Sequence, residues 1–96
     1  MLVNIANFAN KETEDIFYGR RSKIVPSELN QLALRKLNIL NASGNLQDLM
    51  VPPSNRLKKL SGNRKNQYSI RINDKYRICF CVKNNQFHDV EIVDYH

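Results

Sequence analysis

Two alternating runs separated by three polar residues set the first constraint on this chain. Residues 68–72 read YSIRI and residues 76–82 read YRICFCV, with apolar and polar side chains at a period of two. That period belongs to half-buried strands, whose successive side chains point to opposite faces. Between the runs lies Asn73-Asp74-Lys75, and the loop length can be tested against the pattern. A three-residue loop sets Ile72 opposite Tyr76, Ile70 opposite Ile78 and Tyr68 opposite Phe80, which gathers the apolar residues on one face. A two-residue loop would put Ile70 against Arg77, and a slip of one residue reverses every side chain. The three-residue loop is therefore the expected hairpin.

The same register sets Arg71 opposite Arg77 and Ser69 opposite Cys79 on the other face. Like charges directly across a sheet destabilise it, so this pair is poor design for stability alone. A last strand, residues 89–95, can be laid beside the middle one. Matching Val82 with Val90 and Phe80 with Ile92 places Val93 beside Cys79 and Tyr95 beside Arg77. Arg71, Arg77 and Tyr95 then form a row. Two guanidiniums and a phenol point to an anion site, with phosphate the natural ligand.

Ahead of the hairpin the period changes. Asn10, followed by Glu12, Glu14 and Asp15, is an N-cap with acids in the first turn, and that helix is expected to stop at Gly19. Pro26-Ser27-Glu28 opens a longer helix, in which Leu29, Leu32, Ala33, Leu37 and Leu40 form one apolar stripe ending at residues 41–44. This stripe should cover Ile70, Ile72, Ile78, Phe80, Val90 and Ile92. Residues 44–55 read as a loop tucked onto the body by Leu46, Leu49 and Met50, with Pro52-Pro53 stiffening the approach to Arg56. Residues 1–5 are compatible with a short edge strand. The expected fold is α+β: two N-terminal helices packed on one face of a small, mainly antiparallel sheet, in a single domain over residues 1–96. No helix remains to cover the face of Arg71 and Arg77, which should be open to solvent or to a partner.

The net charge of +6 is unevenly placed. Residues 56–83 carry nine Lys/Arg against the single acid Asp74, while the remainder carries six bases against eight acids. The strand module is as basic as a nucleic-acid-binding surface, and the rest is slightly acidic. The cluster Arg20, Arg21 and Lys23 reads by itself as a solvated linker. Cys79 and Cys81 lie two apart on one strand face, badly placed to bridge each other, and read as packing residues in a reducing compartment. His88 and His96 are too few and badly spaced for a zinc set, and no cofactor is expected. No basic leader or long apolar run is present in residues 1–16, so a cytoplasmic protein without membrane insertion is expected.

Gly-rich phosphate loops, Ser-His-Asp order and paired carboxylates are all missing from the basic face. What it offers is Arg71, Arg77, Tyr95, the pair Lys58-Lys59 and terminal His96. With Leu57 pointing to the core, Arg56 and Lys58 point to the basic face. Such a set suits phosphodiester cleavage without a metal: arginines hold the phosphate while a Lys, Tyr or His moves protons. Tyr95 and His96 can equally be read as frayed terminal residues.

Leu60-Ser61-Gly62, Tyr68-Ser69-Ile70, Tyr76-Arg77-Ile78 and terminal Asp94-Tyr95-His96 carry a resemblance to the HigB-type toxins of the RelE/ParE superfamily. The resemblance covers essentially the whole chain and is strongest over residues 52–96. It implies a ribosome-dependent mRNA endonuclease that works in the A site. In the chemistry that the resemblance implies, the RNA 2′-hydroxyl is the nucleophile and a 2′,3′-cyclic phosphate the product. It also implies a HigA-like helix-turn-helix antitoxin that neutralises the toxin, and operator DNA bound only through the toxin–antitoxin complex. Arg77, Asp94, Tyr95 and His96 match functional positions of the family. Where some members have a His-Pro-Leu-Lys-Gly run, this chain has Lys58-Lys59-Leu60-Ser61-Gly62, so the upstream His becomes Lys58. An Arg near the turn becomes Asn73, with Arg71 two residues earlier.

The candidate catalytic set is thus Arg77, Asp94, Tyr95, His96 and Lys58. Arg56, Lys59, Arg64, Lys65, Arg71 and Asn73 are the candidates for holding RNA phosphate. Parity sends His96 away from the Arg77 face, but no ladder holds the last residue, and its imidazole titrates near neutral pH, at about 6.5 when unperturbed. Two other classes stay open: a ParE-like inhibitor of gyrase without nuclease activity, and a basic RNA-binding module without chemistry.

Overall fold

In the computed structural model, which describes residues 4–94, the first helix starts where Asn10 can cap it. The Asn10 Oδ1 accepts the backbone N–H of Thr13 at 2.8 Å, which satisfies one of the orphan donors of the first turn. Helix α1 spans Lys11–Phe17, and Gly19, at φ 80°, turns the chain away as expected. A short 3₁₀ turn, Ser27–Leu29, leads into helix α2, Asn30–Ala42. Ala33, Leu37 and Leu40 of the expected stripe are fully buried, and Leu29 and Leu32 pack against them. Among them α2 also buries Lys36, which apolar periodicity does not anticipate.

Residues 44–55 fold into two 3₁₀ turns, Leu46–Met50 and Pro53–Asn55. Leu46 and Leu49 face inward as expected. Met50 does not: it is 63% exposed. Residues three apart eclipse in a 3₁₀ turn, so Leu46 and Leu49 share the inner side and the next residue must leave it.

Four strands follow: β1 Lys58–Lys59, β2 Gln67–Arg71, β3 Tyr76–Lys83 and β4 Gln86–Asp94. They form one antiparallel sheet in the order β1-β2-β3-β4. The β2–β3 register is the expected one, with Tyr68 paired to Phe80, Ile70 to Ile78 and Arg71 to Arg77. The β3–β4 register is not. Ile92 pairs with Ile78 rather than Phe80, and Val82 pairs with Phe87 rather than Val90. The cause is a tight turn at Asn84-Asn85, both at positive φ, which starts β4 three residues earlier than expected. A bulge then follows, with Asp89 at φ 54° and a register shift opposite Cys79 and Cys81. The bulge restores parity, so Val90 and Ile92 still reach the core, now joined by Phe87.

The N-terminal segment runs beside β4. Ile5 and Phe8 form parallel bridges to Phe87 and Val90, which covers the edge of the sheet. The part of the expected edge strand at residues 1–3 lies outside the described residues. Thr13 of α1 is wholly buried, and its Oγ1 accepts the Ile92 N–H at 3.0 Å. The two helices and residues 5–8 thus enclose one face of the sheet around Phe80, Phe87, Ile70 and Ile78. No helix among the described residues is long and apolar enough to cross a membrane.

Candidate active site

On the sheet face away from the helices, β2 and β3 bring Arg71 and Arg77 directly opposite each other. Their Cβ atoms are therefore about 5 Å apart. Each guanidinium is held by different means. Arg71 forms an ion pair with Asp74, a carboxylate that is 99% exposed and so holds the pair weakly. Arg77 bonds to neutral oxygens. Its Nε donates to Ser69 Oγ at 2.7 Å, and its Nη2 donates to the Arg56 carbonyl at 2.6 Å and the Ser69 carbonyl at 3.4 Å. These bonds fix the plane of the guanidinium. Lys58 pairs with Ser69 across β1 and β2, which places it on this face beside the residue that anchors Arg77.

The face is less open than expected. Ser69 and Cys79 at its centre are buried. Arg77 lies on Ser69, and Arg64 closes over the cysteines. The Arg64 Nη1 donates to Gln67 Oε1 at 3.0 Å on β2 and to Glu91 Oε1 at 3.2 Å on β4. Gln67 pairs with Cys81 and Glu91 with Cys79, so Arg64 spans the middle strand above both cysteines. Burial pushes the Cys79 thiol pKa up. Both cysteines are free.

Several candidate residues have other placements. Lys59 pairs with Tyr68 and so takes the face opposite to Arg77. Asp94 pairs with Tyr76, again on the other face, and forms an ion pair with Lys75 at 3.7 Å. Asn73 Oδ1 accepts the backbone N–H groups of Lys75 and Tyr76 at 2.9 and 2.8 Å, so its side chain builds the turn. Lys65 is exposed on the segment carrying Arg64. Val93, rather than Tyr95, stands opposite Arg77, because the β3–β4 register is two residues from the expected one. Tyr95 and His96 themselves lie outside the described residues. Sequence reasoning placed Ser69 on this face but did not single it out. It missed the Arg56 carbonyl altogether, because a backbone acceptor leaves no trace in residue type.

Over residues 6–96 the chain matches a family described as the RelE-like toxin of the type II toxin–antitoxin system HigB. The chain belongs to this HigB-like toxin family. It is 43% identical to Toxin HigB-1 of Vibrio cholerae serotype O1 over 74 residues, which cover 76% of this chain and 78% of that toxin. An uncharacterized protein of Haemophilus influenzae is 37% identical over 73 residues, covering 76% of this chain and 72% of the relative. The fold is shared with the YoeB-YefM complex from Staphylococcus aureus at a TM-score of 0.59 and 24% identity, over 98% of this chain and 97% of that one. The heterotetrameric YoeB-YefM toxin-antitoxin complex of the same organism aligns equally well at 23% identity. The α+β fold is therefore that of RelE-like toxins. As a HigB-like chain, this protein is a toxin of a type II toxin–antitoxin system.

Proposed function

We propose that this HigB-like toxin is an endoribonuclease that cuts mRNA on the ribosome and so halts translation. The observation that carries the reading is Arg77, a guanidinium locked by Ser69 and the Arg56 carbonyl on a face that also holds Lys58 and Arg71. A guanidinium fixed in this way holds its positive charge in place, and its attraction for phosphate oxygens gains strength as negative charge builds on them. Arg77 therefore stabilises the transition state of phosphodiester cleavage. Lys58 and Arg71 bind flanking phosphates, Arg71 by exchanging its exposed partner Asp74. Arg56 and Lys65, both exposed, extend the cationic path. Arg64 supports the face structurally through Gln67 and Glu91.

The nucleophile in this reading is the RNA 2′-hydroxyl, and cleavage leaves a 2′,3′-cyclic phosphate. Tyr95 and His96, which follow Asp94 in the chain, supply the proton transfers, roles that phenol and imidazole groups commonly take. The ribosome supplies what the toxin lacks, a scissile phosphate held in line with its 2′-hydroxyl. A HigA-like helix-turn-helix antitoxin neutralises the toxin in the cytoplasm, and the pair meets operator DNA through the antitoxin.

The test is cleavage of ribosome-bound mRNA by purified toxin, mapped at the 5′ ends. The reading requires cuts within translated codons. Deletion of His96 should lower the cleavage rate far more than ribosome binding, whereas Lys58→Ala should weaken binding more. Inhibition of gyrase supercoiling with intact mRNA would overturn it, as would salt-dependent RNA binding that leaves the RNA uncut.

A further inference from the structure

We infer that the buried pair Lys36–Asn55, on the helical side of the molecule, is a positioning device for Arg77 that acts through the peptide carbonyl of Arg56. The inference rests on Arg77 being the phosphate-binding group proposed above. It starts from a residue out of place. Lys36 lies among Ala33, Leu37 and Leu40 on the core side of α2, only 8% exposed, where a Leu or Met would pack at no electrostatic cost. Its Nζ donates to Asn55 Oδ1 at 2.8 Å. Asn55 is fully buried, and its Nδ2 donates to the carbonyls of Leu49 at 3.2 Å and Val51 at 3.4 Å. Its backbone N–H donates to Pro52 O at 3.0 Å. One residue thus ties helix α2 to three points of the 49–55 loop.

The next residue makes the link to the site. Arg56 adopts left-handed backbone, φ 45° and ψ 55°, an unfavourable conformation for a residue with a Cβ. Such a conformation persists only where neighbours over-determine it. Asn55 on one side, and the Arg56 N–H donated to Pro53 O at 3.0 Å, supply that determination. The twist turns the Arg56 carbonyl toward the sheet, where it accepts Arg77 Nη2 at 2.6 Å. Ser69, another anchor of Arg77, sits on the neighbouring strand and is fixed by the sheet ladder. The Arg56 carbonyl comes from outside the ladder, so its position depends on the loop that Asn55 and Lys36 hold. Burial lowers the Lys36 pKa, with Arg71 and Arg35 adding to the effect, so the site disfavours the charge of the group it holds.

The test compares Lys36→Met, which keeps length and shape but removes charge and donor, with the double variant Lys36→Met/Asn55→Leu. Replacing both partners by apolar groups removes the orphaned amide oxygen but also the Nδ2 bonds to the Leu49 and Val51 carbonyls, so the double variant releases the loop as well. A purely structural pair would lower stability in both variants without moving Arg77. A positioning pair would move it. In both variants kcat on ribosome-bound mRNA should fall by about 10-fold or more, with KM within about 2-fold of wild type. The Arg77 Nε–H resonance, read by ¹⁵N NMR on the free toxin, should shift in both. That resonance is independent of cleavage, so it tests the positioning even if RNA proves not to be the substrate. If Lys36→Met fails to fold, the double variant carries the comparison. An unmoved Arg77 resonance in a folded variant, or wild-type kcat in the double variant, would overturn the inference.

Discussion

Arg77 shows how much a single guanidinium depends on what holds it. Its Nε and Nη2 bond to Ser69 Oγ and the Arg56 carbonyl, two acceptors set apart so that only a planar fork reaches both. A lysine at this position would keep the charge and lose the fork. Arg77→Lys should therefore retain ribosome binding within a few-fold yet lower the cleavage rate by about 10- to 100-fold, measured under single-turnover conditions. Lys36 yields a second prediction at this scale. Burial lowers its pKa in the folded protein below the ordinary 10.5. Between the lowered value and 10.5 the unfolded chain holds the proton that the folded chain has released. The Lys36 contribution to stability therefore rises with pH through that window. Urea unfolding at a series of alkaline pH values should show this rise in the wild type, and the wild-type-minus-Lys36→Met difference should isolate it.

Between elements, the junction of α1 with β4 rests on a polar contact inside an apolar core. Thr13 Oγ1 accepts the Ile92 N–H at a site with no access for water. Thr13→Val preserves shape and leaves that N–H unpaired, so it should cost about 1–3 kcal/mol of unfolding free energy, read by urea titration. The elements also show what periodicity can and cannot reveal. Hydrophobic spacing placed α2, β2 and β3 and the pairing of Arg71 with Arg77, because in each case one face must be buried and a slip exposes it. It misplaced β4, because the tight turn at Asn84-Asn85 starts the strand before the Asp89 bulge, and the three-residue step from Phe87 to Val90 breaks the period of two. Lys36 and Asn55 escaped for a related reason. Their pairing joins residues 19 apart through a loop whose path only the folded chain defines.

Across the whole molecule, the helices cover one face of the sheet and leave the other to cationic side chains. The surplus of Lys and Arg within residues 56–83 makes that division legible in the amino-acid sequence itself. Its closure by Arg64 was not legible there, since the ion pair with Glu91 joins positions 27 apart across three strands. A face of this charge should bind the ribosome with affinity that falls steeply as salt rises, the log–log slope giving the number of phosphate contacts. Each of Lys58→Ala and Arg71→Ala should lower the slope by about one. Under the proposed function naked mRNA should be cut slowly, since in that reading the ribosome holds the scissile phosphate in line.

In the proposed function the Arg77 face cleaves RNA. The most direct test is to incubate programmed ribosomes with purified wild-type toxin or Arg77→Ala and identify the 3′ ends of the mRNA fragments. Truncating Arg77 should leave the chain folded, since its side chain projects from the sheet face opposite the hydrophobic core. The wild type should leave 2′,3′-cyclic phosphate ends at codons within the A site, and a folded Arg77→Ala protein that still binds ribosomes should leave the mRNA intact. Wild-type cleavage by the Arg77→Ala protein would contradict that function.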